Sequence, residues 1–285
     1  MSFLADTVAI IGVGLIGGSY GLALKERGLA RRVVGVARRE TTRQTAIEVG
    51  AADEATSDAR EAVRDADLVI LCTPVGSIAE MARHIAPALK RECVVTDAGS
   101  TKAGIVRDCE AILGEHFVGG HPMAGSHETG PQFARADLFE SATYVLTPTP
   151  QTDPAALEMV RTLAGRLGSR TLILDAPTHD ELVAFTSHLP HVISFVLANA
   201  VAAKQNENPL AAQLAASGFR DMTRLAASDP QLWTDICLAN REAVLAAVAE
   251  FERHLRALKS ALADGDTESF TAALQAANEG RARIV

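Results

Sequence analysis

Residues 8 to 19 read VAIIGVGLIGGS, and the placing of the glycines in this stretch decides the fold. The β-branched run predicts a strand at 8–13, and the apolar spacing that follows predicts a helix at 16–27. Between them, Gly12, Gly14 and Gly17 fall in GxGxxG order. The first glycine makes a tight turn, the second lets backbone approach a bound anion, and the third lets helix and strand pack closely. The start of the helix, with Leu15 and Ile16 on the turn, offers free N–H groups and the positive end of its dipole to that anion. On its own the glycine pattern is weak. Between a first strand and a helix it points to a dinucleotide pyrophosphate.

Working outward, short β-branched runs alternate with helical stretches. Strands are predicted at 33–37 (VVGVA), 68–73 (LVILCT), 93–98 (CVVTDA), 117–120 (FVGG), 143–147 (TYVLT) and 171–175 (TLILD). Helices are predicted at 41–48, 77–89, 102–113 and 154–166. Such alternation makes a parallel sheet covered on both faces, an α/β Rossmann-type dinucleotide-binding domain over residues 1–177. After Pro177 the strand signals stop. Residues 178–285 predict an all-α dimerisation domain with helices at 179–203, 209–226, 230–263 and 267–278, broken at Pro209, Pro230 and Gly265 and kinked at Pro190. A long helix that is apolar nearly all round cannot face water, so a second copy of the chain is its expected partner and a homodimer is predicted.

The chain has 285 residues, 48% of them apolar, and a formal net charge of −8. Its mean hydropathy of +0.12 is that of a packed globular protein. Its basic residues are scattered, which gives no electrostatic footprint for nucleic acid; a small-molecule substrate is the expected partner. Cys72, Cys93, Cys109 and Cys237 show no CxxC pairing, so no zinc site or disulfide framework is expected and a cytoplasmic setting is. The opening MSFLADTVAIIGVG lacks the basic segment of a secretory signal. Residues 182–203 carry no Asp, Glu, Lys or Arg, but two histidines, a proline and an asparagine make them a buried helix rather than a membrane span.

The second strand ends at GVARRE, with Ala37 where NAD enzymes carry an acid for the ribose hydroxyls, followed by Arg38 and Arg39. A guanidinium there would meet a 2′-phosphate, so NADP is the expected cofactor; Glu40, a late acid, keeps NAD possible. Thr73 and Pro74 follow the 68–73 strand where a loop would pass over the cofactor. Ser100 and Lys102 lie at the carboxyl edge of the next strand, where open α/β sheets bind ligands. Ser100 could equally be the N-cap of the helix at 102–113.

Residues 118–126, VGGHPMAGS, set His121 on that same edge among side chains too small to fill the space. A histidine suits an enzyme that takes a proton from an alcohol as hydride leaves its carbon. The alternative is a loop histidine satisfied by its neighbours. In SHLPH, His188 and His191 stand three apart on a helix, but no third ligand lies at a fitting distance and no metal is expected.

In their order and spacing, GVGLIGGS, LCTP, TDAGSTK, GGHPMAGS, YVLTPT, SHLPH and SGFRDMTR resemble the prephenate/arogenate dehydrogenase family of tyrosine biosynthesis over nearly the full chain. The resemblance implies an oxidative decarboxylation of a cyclohexadienyl acid, in which hydride passes to a nicotinamide, carbon dioxide leaves and the ring becomes aromatic. By the same resemblance His121 handles the 4-hydroxyl proton, Ser100 supports that oxygen and Arg220 pairs with a substrate carboxylate. His188 lines the pocket, as do Gly125 and Ser126, while His191 is left as a packed or interface residue and Asp221 could orient Arg220. One departure stands out: many members have Thr then Glu where this chain has Ser126 and His127. Two other readings remain at this point, a β-hydroxyacid or imine-type dehydrogenase, for which Lys204 is the only candidate lysine, and a nucleotide sensor without chemistry.

Overall fold

The computed structural model describes residues 3–126 and 128–284. Its first half is built on one eight-stranded sheet: β1 (Ala5–Ile11), β2 (Ala30–Val36), β3 (Glu54–Thr56), β4 (Leu68–Leu71), β5 (Val94–Asp97), β6 (Phe117–Pro122), β7 (Thr143–Thr147) and β8 (Arg170–Ile173). The order across the sheet is β3-β2-β1-β4-β5-β6-β7-β8. Its first six strands run parallel in the 3-2-1-4-5-6 order of a dinucleotide-binding sheet. β7 then pairs antiparallel with β6, with His121 opposite Val145.

Helices α1 (Leu15–Glu26), α2 (Glu40–Glu48), α3 (Ala59–Val63), α4 (Ile78–Ile85), α5 (Ala103–Leu113) and α6 (Pro154–Arg166) connect these strands. Strands β1 and β4 are buried almost completely, so their side chains feed two cores, one on each face of the sheet. The sequence reading missed β3 and α3. A three-residue edge strand, EAT, and a five-residue helix are too short for periodicity to register. Local chemistry places other boundaries well: Asp153 accepts from the Ala155 amide ahead of Pro154, and Asp229 does the same for Gln231 and Leu232 ahead of Pro230.

The helical half comprises α7 (Ala176–Val183), α8 (Leu189–Glu207), α9 (Leu210–Gln213), α10 (Ser217–Thr223), α11 (Pro230–Ala239), α12 (Arg241–Asp264) and α13 (Thr267–Ile284). The first helix starts at Ala176, just ahead of Pro177. Where one kinked helix was expected, α7 and α8 are joined by a π-turn at Ala184–His188, and Pro190 sits in the first turn of α8, where its missing N–H costs nothing. The expected helix 209–226 is two short helices and a 3₁₀ turn at Arg224–Ala227, and 230–263 is divided at Asn240. Gly265, at φ 65°, ends α12 in the left-handed region. The run Ala176–Glu207 is long and apolar enough to cross a membrane, and 22% of its most apolar window is buried within the protomer.

Candidate active site

A cavity of about 590 Å³ opens where the carboxyl ends of β1, β4, β5 and β6 meet the helical half. One end is the glycine turn. Gly12 has φ +100°, and a Cβ on it would stand 2.6 Å from the Cys72 carbonyl oxygen; a Cβ on Gly17 would stand 2.1 Å from the oxygen of Gly12. Only glycine permits these approaches. A Cβ on Gly14 would meet nothing within 4 Å, so space lies open in front of the amides at the start of α1. Gly12, Gly14, Leu15, Ile16 and Gly17 all line the cavity, together with Thr73 and Pro74 from the loop after β4. The Thr73 hydroxyl is buried without a hydrogen-bond partner. An open cradle of free amides beside an unpaired hydroxyl fits the pyrophosphate and ribose of a dinucleotide.

Ala37, Arg38 and Arg39 follow the end of β2, beside the glycine turn, where Gly12 N donates to the Val36 carbonyl at 2.9 Å. Arg38 and Arg39 are exposed. The Arg43 guanidinium reaches back to the carbonyls of Ala37 (2.8 Å) and Arg38 (2.9 Å) and pairs with Glu40.

The other end holds His121, on the last turn of β6 and 8% exposed, with Ser100, Gly125 and Ser126 on the same wall. Ser100 does not cap α5, which starts at Ala103; the amides of Lys102 and Ala103 donate instead to the Asp180 carboxylate, at 2.7 and 2.8 Å. The Ser126 hydroxyl accepts from the Glu128 amide at 3.0 Å. His127 lies outside the described residues. His121 Nδ1 lies 2.8 Å from His179 Nε2, and His179 Nδ1 lies 2.8 Å from Asp180 Oδ1. Burial, and then the neighbouring His179, Lys102 and His188, hold the His121 imidazole well below the usual histidine pKa, so the ring is neutral.

Beneath this wall Lys102 and Asp97 form a fully buried ion pair. Lys102 Nζ also donates to the Gly120 carbonyl at 2.9 Å, and Asp97 accepts from the amides of Gly99 (2.8 Å) and Gly120 (3.1 Å). The pair thus clamps the residue before His121 to the end of β5.

Two assignments made from sequence change. Arg220 is exposed on α10, its guanidinium on the Ala215 carbonyl at 3.3 Å, and it is not part of the cavity wall of this protomer. Arg224, four residues on, is. It supplies the cavity's guanidinium among the described residues. His188 is 1% exposed and sits behind the cavity, its Nδ1 accepting from Asn240 Nδ2 at 3.2 Å. Its pKa is pushed down to about 4, chiefly by burial. His191, left by the sequence as a packed or interface residue, takes the place expected of His188: it lines the cavity and stacks on Trp233, ring centroids 3.4 Å apart. The two histidines are three apart on a helix that begins in a π-turn, so normal helical spacing could not say which would face in. Lys204 is exposed and pairs with Glu207 at 2.8 Å, away from the cavity. No group of three or more His, Cys, Asp or Glu that could hold a metal occurs among the described residues.

Against known proteins, residues 20–173 match the family described as "Prephenate dehydrogenase, nucleotide-binding domain", and residues 175–276 match "Prephenate dehydrogenase, dimerization domain". The chain belongs to the prephenate dehydrogenase family. It is an enzyme, a nicotinamide-dependent oxidoreductase. It is 38% identical to a cyclohexadienyl dehydrogenase of Zymomonas mobilis over 264 residues, covering 91% of this chain and 90% of that protein. A crystal structure of prephenate dehydrogenase from A. aeolicus in complex with hydroxyphenyl propionate and NAD+ superposes with a TM-score of 0.93 at 32% identity, covering 100% of this chain and 99% of that one. An arogenate dehydrogenase from Synechocystis gives 0.83 at 33% identity, covering 98% and 100%. Membership of this family removes the hydroxyacid and sensor readings.

The sequence reading of this prephenate dehydrogenase family member missed His179, Asp180, Asn240 and Trp233. Trp233 is the chain's one tryptophan, a signal that was available; the others lie in helices whose packing only the fold reveals. Replacing Lys102 by Met should leave Asp97 buried with backbone donors alone and lower the unfolding free energy by about 3–5 kcal/mol. The check is the urea midpoint at constant m-value; an unmoved midpoint would mean that the pair carries no net stability.

Proposed function

We propose that this chain catalyses the NADP-preferring oxidative decarboxylation of arogenate, prephenate or both, giving tyrosine or 4-hydroxyphenylpyruvate, in the cleft between a Rossmann domain (1–177) and a helical domain (178–285). The observation that carries the reading is the single cavity that holds the glycine turn at one end and neutral His121 at the other. The bound nicotinamide would accept hydride from the ring carbon bearing the hydroxyl. His121, uncharged, can take the hydroxyl proton, and Ser100 can hydrogen-bond the same oxygen. Loss of carbon dioxide leaves its electron pair to the ring, the oxygen takes its proton back from His121 to give the phenol, and aromatisation supplies driving force the protein need not provide.

Arg224 offers a planar fork for a substrate carboxylate, and the stacked His191 and Trp233 make a flat wall for a six-membered ring. The hydroxyphenyl propionate in the A. aeolicus enzyme, an aromatic ring with a carboxylate arm, supports this division of labour. Ser126 and Gly125 close the substrate end. For the cofactor, the tie between Glu40 and Arg43 favours NADP: the late acid is neutralised, and Arg38 and Arg39 are left exposed beside the turn. We also propose a cytoplasmic homodimer. Val196, Leu214 and Leu238 are 62, 81 and 66% exposed in the protomer, in the half that matches the family's dimerization domain. A second copy, rather than lipid, is the cover for the apolar run at Ala176–Glu207.

The test is reduction of NADP and NAD with each of the two substrates. No reduction with any pair would refute the reading. His121→Asn should lower turnover by about 10²–10⁴-fold while cofactor still binds. Because the base must be neutral and its pKa is depressed, kcat/KM should hold through pH 6.5 and fall only at lower pH. Arg224→Gln should raise KM at least about tenfold, the loss of one charge-assisted pair, whereas Arg220→Gln should not. Arg38→Ala should weaken NADP about tenfold or more and leave NAD nearly unchanged; equal losses would remove that arginine from the 2′-phosphate.

A further inference from the structure

His121 is the last member of a buried relay that begins in the other half of the chain. Both oxygens of Asp180, on α7, are held from the sheet half by the amides of Lys102 and Ala103, at 2.7 and 2.8 Å. Its backbone carbonyl accepts from Asn240 Nδ2 at 2.7 Å, so the residue is braced from α7, α5 and the junction of α11 and α12 at once. A carboxylate only accepts hydrogen bonds. His179 must therefore donate Nδ1–H to Asp180 Oδ1, which leaves His179 Nε2 as an acceptor. The partner 2.8 Å from that nitrogen is His121 Nδ1, which must then carry the proton.

We infer that His179 and Asp180 are positioning residues: they hold His121 as its Nδ1–H tautomer, so that Nε2 presents its lone pair to the substrate hydroxyl. The inference rests on the reading of His121 as the base. Only the Nδ1–H form can accept a proton at Nε2 while keeping its bond to His179, so the relay selects the one neutral form that can work. It also assembles that form from both halves, because Asp180 is pinned to α5 and His179 reaches across to β6. The charged and titratable groups around His121 are Lys102 and Asp97 from the sheet half and His179, Asp180 and His188 from the helical half.

Asp180→Asn separates this role from a merely structural one. Asp180 Oδ1 accepts from both the Lys102 amide and His179 Nδ1, and Oδ2 from the Ala103 amide, so an amide nitrogen standing at Oδ1 is a donor to His179 Nδ1, while an amide oxygen standing there keeps the parent bonds. With nitrogen there every bond in the relay reverses: His179 donates from Nε2 to His121 Nδ1, and His121 turns an N–H toward the substrate. Expected is a fall in kcat of about 10²–10⁴-fold with KM and the affinity for NADP within about threefold, as for a triad histidine held in the wrong tautomer. Ring ¹⁵N shifts of His121 in histidine-labelled protein should read Nδ1–H in the parent and Nε2–H in the variant.

A parent His121 that is protonated at Nε2, or a variant that reads Nε2–H with a kcat within threefold of the parent, would overturn the inference. If Asp180→Asn loses the fold, or folds with His121 still Nδ1–H, His179→Gln against His179→Leu decides. Gln can accept from His121 and donate to Asp180, whereas Leu can do neither. Gln must keep at least ten times the turnover of Leu, and equal rates would refute the relay. His121→Asn, measured alongside, keeps the two questions apart. Should it retain turnover, the base itself is misassigned; should it be inactive while Asp180→Asn is not, only the positioning role fails.

Discussion

The approach of Gly17 to the carbonyl of Gly12, too close for any Cβ, is the constraint from which the rest of the architecture follows. It allows α1 to start directly off β1 and to lie against the sheet. β1 is thereby fixed as an interior strand, flanked by β2 and β4. The same tight turn leaves the first amides of α1 pointing into open space rather than into side chains. The loops after β4, β5 and β6 then gather around that space, because parallel strands deliver their carboxyl ends to one edge.

Charge is treated differently at the two ends of the cavity. Beside the glycine turn, Arg38 and Arg39 stay at the surface, in water. Behind His121, charge is buried and compensated: Lys102 against Asp97, and Asp180 against two amides and a histidine. Breaking such groups is costly because desolvation has already occurred. That cost gives the wall around His121 a single arrangement, with β6 clamped from below by Lys102 and from the side by α7.

Much of the sheet half was legible because its signals are local. Periodicity marks the strands, Asp–Pro pairs mark helix starts, and the glycine spacing marks the turn. β3 and α3 escaped because three to five residues carry no period. In the helical half, element type was legible but boundaries were not, since the π-turn at Ala184–His188 and the break at Asn240 are decided by packing. The sequence reading named Arg220 and not Arg224 for the same reason. The two are four residues apart in one motif, and only the change from α10 to a 3₁₀ turn sets them on different surfaces.

By itself, then, the sequence determined that a dinucleotide would be held at the start of the first helix, that His121 would stand at the carboxyl edge of the sheet, and that the second half would be helical with apolar surface to cover. Those conclusions depend on backbone sterics and on side-chain periods, which are properties of neighbouring residues. Which arginine faces the cavity, that His191 rather than His188 lines it, and that His179 and Asp180 stand behind His121 were decided by the tertiary structure. Each is a meeting of residues far apart in the chain: His121 with His179 across 58 positions, and Lys102 with Asp180 across 78. No local pattern encodes such distances, because they exist only once the helical half has docked on the sheet.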